Sequence, residues 1–547
     1  MRLLETIRDR PGLDRAAGAA LAVLALLVVV VFSQVHTGYA FFYSDAPRRA
    51  LNGAFILDLV KAFPIHDPVQ WAYDYYAQYP ALTILFYPPL YPAVLAVAYA
   101  VLGISQTSAV VVNGLFYLGL VWGMYRLAGR YLDRGAALGA AAIVGAAPEI
   151  AFWGRQIMTD VPATAALVWA SAVFVDYLRN RRARDLYWSA ALALAAVWLK
   201  LTVCFMLPVF AVALLLAEGR WIWRSARHWI VLTGVVVGLL PLAWLTLHFG
   251  QTNVQSVAGV PDGAVGRLSV ANWLWYAKRA PEMLGWPTTV ALALGLAAGL
   301  LAWAGPGRVD RRWLLPIAWA VVGYVFFSAI DLKHPRFMIP VLPPFVLIGV
   351  GGLRWLLRRW RNPFRIVLAC IAAATLAITL VVHPPLYVGG YASIVKAVAQ
   401  RAPKKTNIVF SGYRDGAFIF AMRAIGDRPD LATIRADKLL LSIAIRRSAG
   451  VEQKDLTADE IARELTRLKV SYVVAQDGFW TDLVEMRRLQ KVLHSSQFEP
   501  VAHYRLPRNF QAPDREITVY RNRAELPKKR PPRAIDLPAI NHTVKQN

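Results

Sequence analysis

Eleven apolar stretches punctuate the first two thirds of the chain, at residues 16–35, 108–126, 135–151, 161–178, 186–200, 201–217, 229–248, 288–304, 313–330, 337–353 and 365–383. A helix rises 1.5 Å per residue and the hydrocarbon core of a bilayer is about 30 Å thick, so runs of this size are read as spans. Such a pattern predicts an α-helical polytopic membrane protein with appendages. Composition agrees: 57% of the residues are hydrophobic and 17% charged, against roughly 45–50% and 25% in soluble domains.

The net charge of +26 could point to nucleic acid, but the basic residues cluster between the apolar runs. With the N-terminus in the cytoplasm and the spans alternating, "RLAGRYLDR", "RNRRAR", "GRWIWRSARH", "GRVDRR" and "RWLLRRWRNPFR" all fall inside. That is the asymmetry of the positive-inside rule, which assigns the charge to topology and anionic headgroups and leaves no nucleic-acid partner. The arginines before the first run resemble a signal peptide, but the run is long for one and no small-x-small site follows, so it reads as an uncleaved anchor. The two cysteines, Cys204 and Cys370, lie inside apolar runs, which excludes a disulfide framework or a metal cluster with ligand spacing.

The bookkeeping requires "YPPLYPAVLAVAYAVLG", residues 87–103, not to cross. Its prolines weaken the first turn, and it reads as a re-entrant or interfacial helix on the outer leaflet. Residues 1–384 then form the membrane domain, with long outer loops at 36–107 and 249–287, an odd number of spans and an external C-terminus. Residues 385–525 read as a soluble α/β domain: "NIVFSG" and "SYVVAQD" are strands, and "TADEIARELTRL" opens on a capping box of Thr457 and Glu460. The last stretch, 526–547, has proline and charge without periodicity and reads as a disordered tail. Its "NHT" is formally a glycosylation sequon.

This topology places ionisable residues from distant parts of the sequence near one outer face. Asp45 follows the first span, Arg155 and Asp160 lie in "WGRQIMTDVPA", Lys200 in "WLKLT", and His334 and Arg336 in "DLKHPRFMIP". Each alone is accounted for as an interfacial anchor. As a set of carboxylates and cations they form a functional candidate, because ionisable groups at membrane depth are costly.

In the order "SDAPRRA", "YPPLYPAV", "FWGRQIMTDVPATAAL", "LKLTVCFMLPVF" and "KHPRFMIPVLPPFVLI", the chain resembles the GT-C membrane glycosyltransferases, over roughly residues 10–385. Within them it is most similar to the protein O-mannosyltransferase-like branch that includes the lipid A aminoarabinose transferases. The resemblance implies a GT-C-like bundle of about 11 to 13 transmembrane helices, with the soluble α/β domain on the outer face. It implies a polyprenyl-phosphate-linked sugar as donor and a hydroxyl on a lipid, glycan or protein of the cell envelope as acceptor. By the same resemblance Asp45 is the general base and Asp160 orients acceptor or base. Lys200 lies near the donor phosphate, and Arg336, with Arg155 and His334 beside it, belongs to the substrate-binding set. Two positions depart from the family: Asp45 is followed by Ala46 where many members have a second carboxylate, and Tyr87 stands closest to a lysine of the lipid A branch. The family habit, with no cysteine in the external domain, places the chain in a bacterial inner membrane with the C-terminal domain periplasmic.

The chemistry fits these residue types. Glycosyl transfer from a lipid phosphate needs a carboxylate to take the acceptor proton and cations to hold the departing phosphate. A free Asp, with a pKa near 3.9, cannot ionise an alcohol in advance, so proton removal is concerted with attack. A single base without an opposing nucleophile implies inversion at the anomeric carbon, by analogy with glycosidases. No cofactor is required by this reading. One divalent cation shared by Asp45 and Asp160 with His66 or Asp67 is the competing use of the acids, though no D-x-D spacing supports it. The alternative functions are a polyprenyl-lipid flippase, for which no broken-helix repeat is seen, and a sensor with an external ligand-binding domain.

Overall fold

The computed structural model describes residues 11–250, 266–304, 311–443, 447, 450–531, 533–537 and 542–546. The chain divides into two compact units. One comprises Met1–Val35, Val111–Trp244 and Val257–Pro385, and the other His36–Val110, Leu245–Ser256 and Leu386–Asn547.

The first unit is helical, and helices occupy all eleven stretches expected to be apolar spans. Among the described residues, seven helices are long and apolar enough to cross a bilayer, or eight if one bent pair counts as a single span. The helices Ala183–Leu199, Trp286–Ala304 and Leu314–Ala329 are nearer the lower limit of spanning length. The predicted run 135–151 is broken. Arg134–Ala146 and Pro148–Gly154 meet at 61°, because Pro148 has no N–H to continue the ladder and holds Ala147 in an extended conformation, ψ 127°.

Burial separates interior helices from lipid-facing ones. The apolar window of Pro335–Leu356 is 78% buried and that of Ala226–Phe249 only 6%, so the latter turns its side chains to lipid along its length. Helices Trp286–Ala304 and Pro335–Leu356 approach closely enough that a Cβ added to Gly295 or Gly352 would strike backbone of the facing helix. Small residues permit such approach where dispersion rather than hydrophobicity drives association.

The second unit joins the segment His36–Val110 to the C-terminal region. Its sheet has the order β2-β1-β5-β7-β6, from β1 (Asn407–Ser411), β2 (Ala432–Arg435), β5 (Val470–Ala475), β6 (Phe498–Arg505) and β7 (Glu516–Asn522). β1 runs parallel to both β2 and β5, and β7 is antiparallel to β5 and β6. β1 and β5 are buried at every position, as strands covered on both faces must be. β3 (Leu441–Ile443) and β4 (Val451–Gln453) form a separate hairpin. The predicted capping box is present: Glu460 N–H donates to Thr457 Oγ1 at 3.3 Å and Thr457 N–H to Glu460 Oε2 at 2.8 Å.

From the loop come three helices, Asp45–Ala62, Pro68–Gln78 and Leu90–Leu102. The last begins after Pro89 and has 13 residues, a rise of about 20 Å, well short of the hydrocarbon thickness. The tail differs from the expectation of disorder. β8 (Arg533–Leu537) and β9 (His542–Gln546) pair antiparallel with Ile535 opposite Val544. The prolines and lysines around these segments hid the strand signal in the sequence. Asn541 of the sequon and residues 251–265 of the second outer loop lie outside the described residues.

Candidate active site

The candidate residues fall into two groups, one in each unit. In the first unit Asp160 opens the helix Asp160–Asn180 and is 1% exposed, a position where the helix dipole favours a negative charge. Its carboxylate is ion-paired with Lys200 Nζ. Lys200 lies just past the end of Ala183–Leu199, where the backbone turns extended, φ −155°, and carries the side chain out of the helical path. Each charge offsets the other's desolvation, the condition on which a buried pair is tolerated.

Lys200 Nζ also lies 5.9 Å from the centre of the Phe337 ring. The Arg336 guanidinium stacks over both Trp153, at 5.2 Å, and Phe337, at 5.4 Å. His334 meets the Trp153 ring edge-on, 5.5 Å between centroids, and its Nδ1 accepts from Arg336 N–H at 3.2 Å. Burial and then the Arg336 charge push His334 down to about 4, so it is a neutral imidazole at physiological pH. Trp153 Nε1 donates to Glu149 Oε1 at 2.7 Å. Glu149, only 8% exposed, belongs to this group and was not singled out from the sequence. The available signal was a carboxylate inside the apolar run "AAPEIAFW". Arg155 is buried and spent on backbone, its Nε donating to Ala151 O at 3.0 Å and Nη2 to His383 O at 2.6 Å.

In the second unit Asp45 is the first residue of its helix and half-buried. Tyr87 Oη lies 3.5 Å from Asp45 Oδ2, the long limit of a hydrogen bond, and the Arg49 guanidinium covers the Tyr87 ring at 4.2 Å. Burial and the Asp45 charge push Tyr87 up to about 12, which keeps it a hydrogen-bond donor. Among the described residues Asp45 makes no ion pair, whereas Asp160 does.

The helix carrying Asp45 is clasped by the C-terminal region. Arg48 Nη2 donates to both carboxylate oxygens of Asp415 at 2.8 and 2.7 Å, and Asp415 is shared with Arg435 at 2.8 Å. At the far end Arg423 Nε donates to Asp58 Oδ2 at 2.7 Å, and Tyr75 Oη to the same oxygen at 2.9 Å. Gly416 lies under Pro47 and Arg48, where a Cβ would come within 3.1 and 3.3 Å of their side chains. Just upstream, Phe41 and Val388 exchange backbone hydrogen bonds at 3.2 and 3.1 Å, and Arg414 Nη1 donates to Phe42 O at 2.6 Å. None of these partners carries a sequence motif, so none was predicted.

A shared cation finds little support in the donor set. Asp67 accepts from Gln70 N–H at 3.0 Å as a helix cap, and no three His, Cys, Asp or Glu side chains converge among the described residues.

Residues 87–245 match the family model described as dolichyl-phosphate-mannose-protein mannosyltransferase. No curated protein matches. Among solved structures, ArnT from Cupriavidus metallidurans in the apo state is similar over 92% of this chain and 98% of its own, with 16% identity and a TM-score of 0.59. The same protein bound to undecaprenyl phosphate gives 15% identity and 0.61, over 92% and 97%. The apo oligosaccharyltransferase of Archaeoglobus fulgidus gives 12% identity and 0.57, over 95% of this chain and 76% of its own. The family model spans less than a third of the chain, and the solved structures show that the chain shares their fold along nearly its whole length.

Proposed function

We propose that the protein transfers a sugar from a polyprenyl-phosphate donor to a hydroxyl of an envelope lipid, glycan or protein on the non-cytoplasmic face of the plasma membrane, with inversion. Asp45 is the general base. The observation that carries this role is the contrast between the two acids: Asp160 is neutralised by Lys200, while Asp45 is half-exposed and, among the described residues, free of any ion pair. A carboxylate ion-paired with an ammonium is a poorer proton acceptor than one with no cation at ion-pair distance. Asp160 then serves as the anchor that orients Lys200, and Lys200 and Arg336 are the cations for the phosphate that leaves. His334, neutral, fixes the backbone of Arg336. Arg155 braces the turn before Asp160, and Tyr87 orients the Asp45 carboxylate.

The donor class is supported by the family model and by the relative solved with undecaprenyl phosphate. The test is transfer of radiolabelled sugar from a polyprenyl-phosphate donor by the purified protein in nanodiscs, with anomeric NMR of the product. Transfer with inverted configuration is expected. Donor translocation without bond cleavage would favour the flippase instead, retention would remove the single-base mechanism, and loss of transfer in EDTA restored by Mn²⁺ would install a metal. A cysteine at position 45 is expected to react with an impermeant thiol reagent from the outer side only.

A further inference from the structure

The second unit contains a cleft of about 630 Å³ that none of the roles above uses, a size typical of small-molecule sites. Its walls come from Tyr76 of the first loop, from the end of β2 and the turn after it, and from one face of the helix Ala458–Arg467. The charges facing it are unbalanced: Arg435, Lys438, Lys454, Arg463 and Arg467 against Glu460 and Glu464.

Several of these are already matched. Glu464 holds Arg467 through two hydrogen bonds at 2.7 and 2.6 Å, and Glu460 is occupied by the capping box. Arg435 is paired with Asp415 at 2.8 Å and Asp437 at 2.6 Å. Lys438, Lys454 and Arg463 remain, and among the described residues none has a carboxylate at ion-pair distance. Lys438 Nζ donates to Ile443 O at 2.8 Å and Arg463 Nε to Asp459 O at 3.3 Å, both backbone carbonyls. Burial and then Arg435 lower Lys438 to about 8, with Asp437 and Asp415 opposing the shift and Arg48 adding to it. An anion would relieve that crowding of positive charge. Between the cations the wall is apolar, with Ile434, Leu439 and Leu456 beside Tyr76. Such a surface suits the C–H faces of a sugar ring.

We propose that this cleft binds the phosphate or carboxylate group of an anionic glycan, the acceptor of the transferred sugar. The acceptor role rests on the function proposed above; the anion site does not. The site is wired to the base helix, since Arg435 lines the cleft and shares Asp415 with Arg48, three residues from Asp45.

The test uses the full chain in phosphatidylcholine nanodiscs and calorimetric titration with glucose 1-phosphate, with glucose as control. The sugar phosphate is expected to bind and glucose not to. Lys454→Gln with Arg463→Gln, both exposed positions, is expected to weaken binding about tenfold or more, with an unchanged melting temperature. Equal binding of the two sugars, or an unchanged affinity in the double variant, would overturn the site. Phosphatidylglycerol nanodiscs that compete with the sugar phosphate would make a lipid headgroup the source of the anion; no competition would favour a free or glycan-borne one. Hydrolytic sugar release from the polyprenyl-phosphate donor is expected to be the same in wild type and double variant. Absence of sugar transfer from the polyprenyl-phosphate donor by the wild type would remove the acceptor role and the glycosyltransferase reading while leaving the anion site standing.

Discussion

The two units use charge in opposite ways. In the first, the carboxylates of the candidate site are buried and matched to partners within a few tens of residues, Asp160 to Lys200, 40 positions away, and Glu149 to Trp153, 4 positions away. In the second, the decisive pairs join residues 367 and 365 positions apart, Arg48 to Asp415 and Arg423 to Asp58. Where hydropathy already dictates the fold, a charge is a cost to be offset. Where a loop must find one surface of a soluble domain, charge specifies which surface docks.

The sharpest break in that comparison is Asp45→Asn. Loss of general-base help is expected to reduce transfer by about 10²–10⁴-fold with the melting temperature unchanged, because no ion pair is broken. Asp160→Asn should behave oppositely. It removes the carboxylate that offsets the Lys200 charge, and breaking such a pair costs about 3–5 kcal/mol, readable as a large drop in thermal stability. Adding Lys200→Gln to it should recover much of the stability and none of the activity.

Reversing Arg423 to Asp is expected to destabilise the second unit by about 2–3 kcal/mol, and the compensating Asp58→Arg should restore most of it. Recovery by the swap, followed by limited proteolysis of the C-terminal region, would show that charge complementarity and not packing fixes the docking. The smallest effect is pH-dependent. Burial disfavours ionised Asp415, but Arg435 and Arg48 outweigh it and hold its pKa below the ordinary aspartate range. A depressed carboxylate contributes stability above its unfolded pKa, near 3.9, and loses it as pH falls through the lower folded value. The stability gap between wild type and Asp415→Asn should therefore be constant from pH 7 to about 5 and close below that, as followed by intrinsic fluorescence.

How much was legible follows the same division. Apolar runs announced every long helix of the first unit because burial in lipid leaves little freedom in what a span can be; the short helices between 270 and 284 fell inside a predicted loop. β1, β5 and the Thr457–Glu460 cap were readable because a short β-branched apolar run and a helix cap are local signals. The bend at Pro148 was marked by its proline yet needed the structure to show that the run turns by 61°. Glu149 was hidden by the opposite difficulty, since one acid in an apolar run does not say which tryptophan will receive it. Arg48, Asp58, Asp415 and Arg423 were beyond reach, because the sequence has dozens of possible arginine–carboxylate pairings and no rule that ranks them.

The clasp around the helix that begins at Asp45 has a consequence for modularity. A chain ending at Pro385 would leave Arg48 and Asp58 facing water without Asp415 and Arg423, and Phe41 without its backbone partner Val388. The C-terminal region is therefore no detachable bead but half of the mould in which the loop is cast, and grafting a foreign domain in its place would first require recutting that mould.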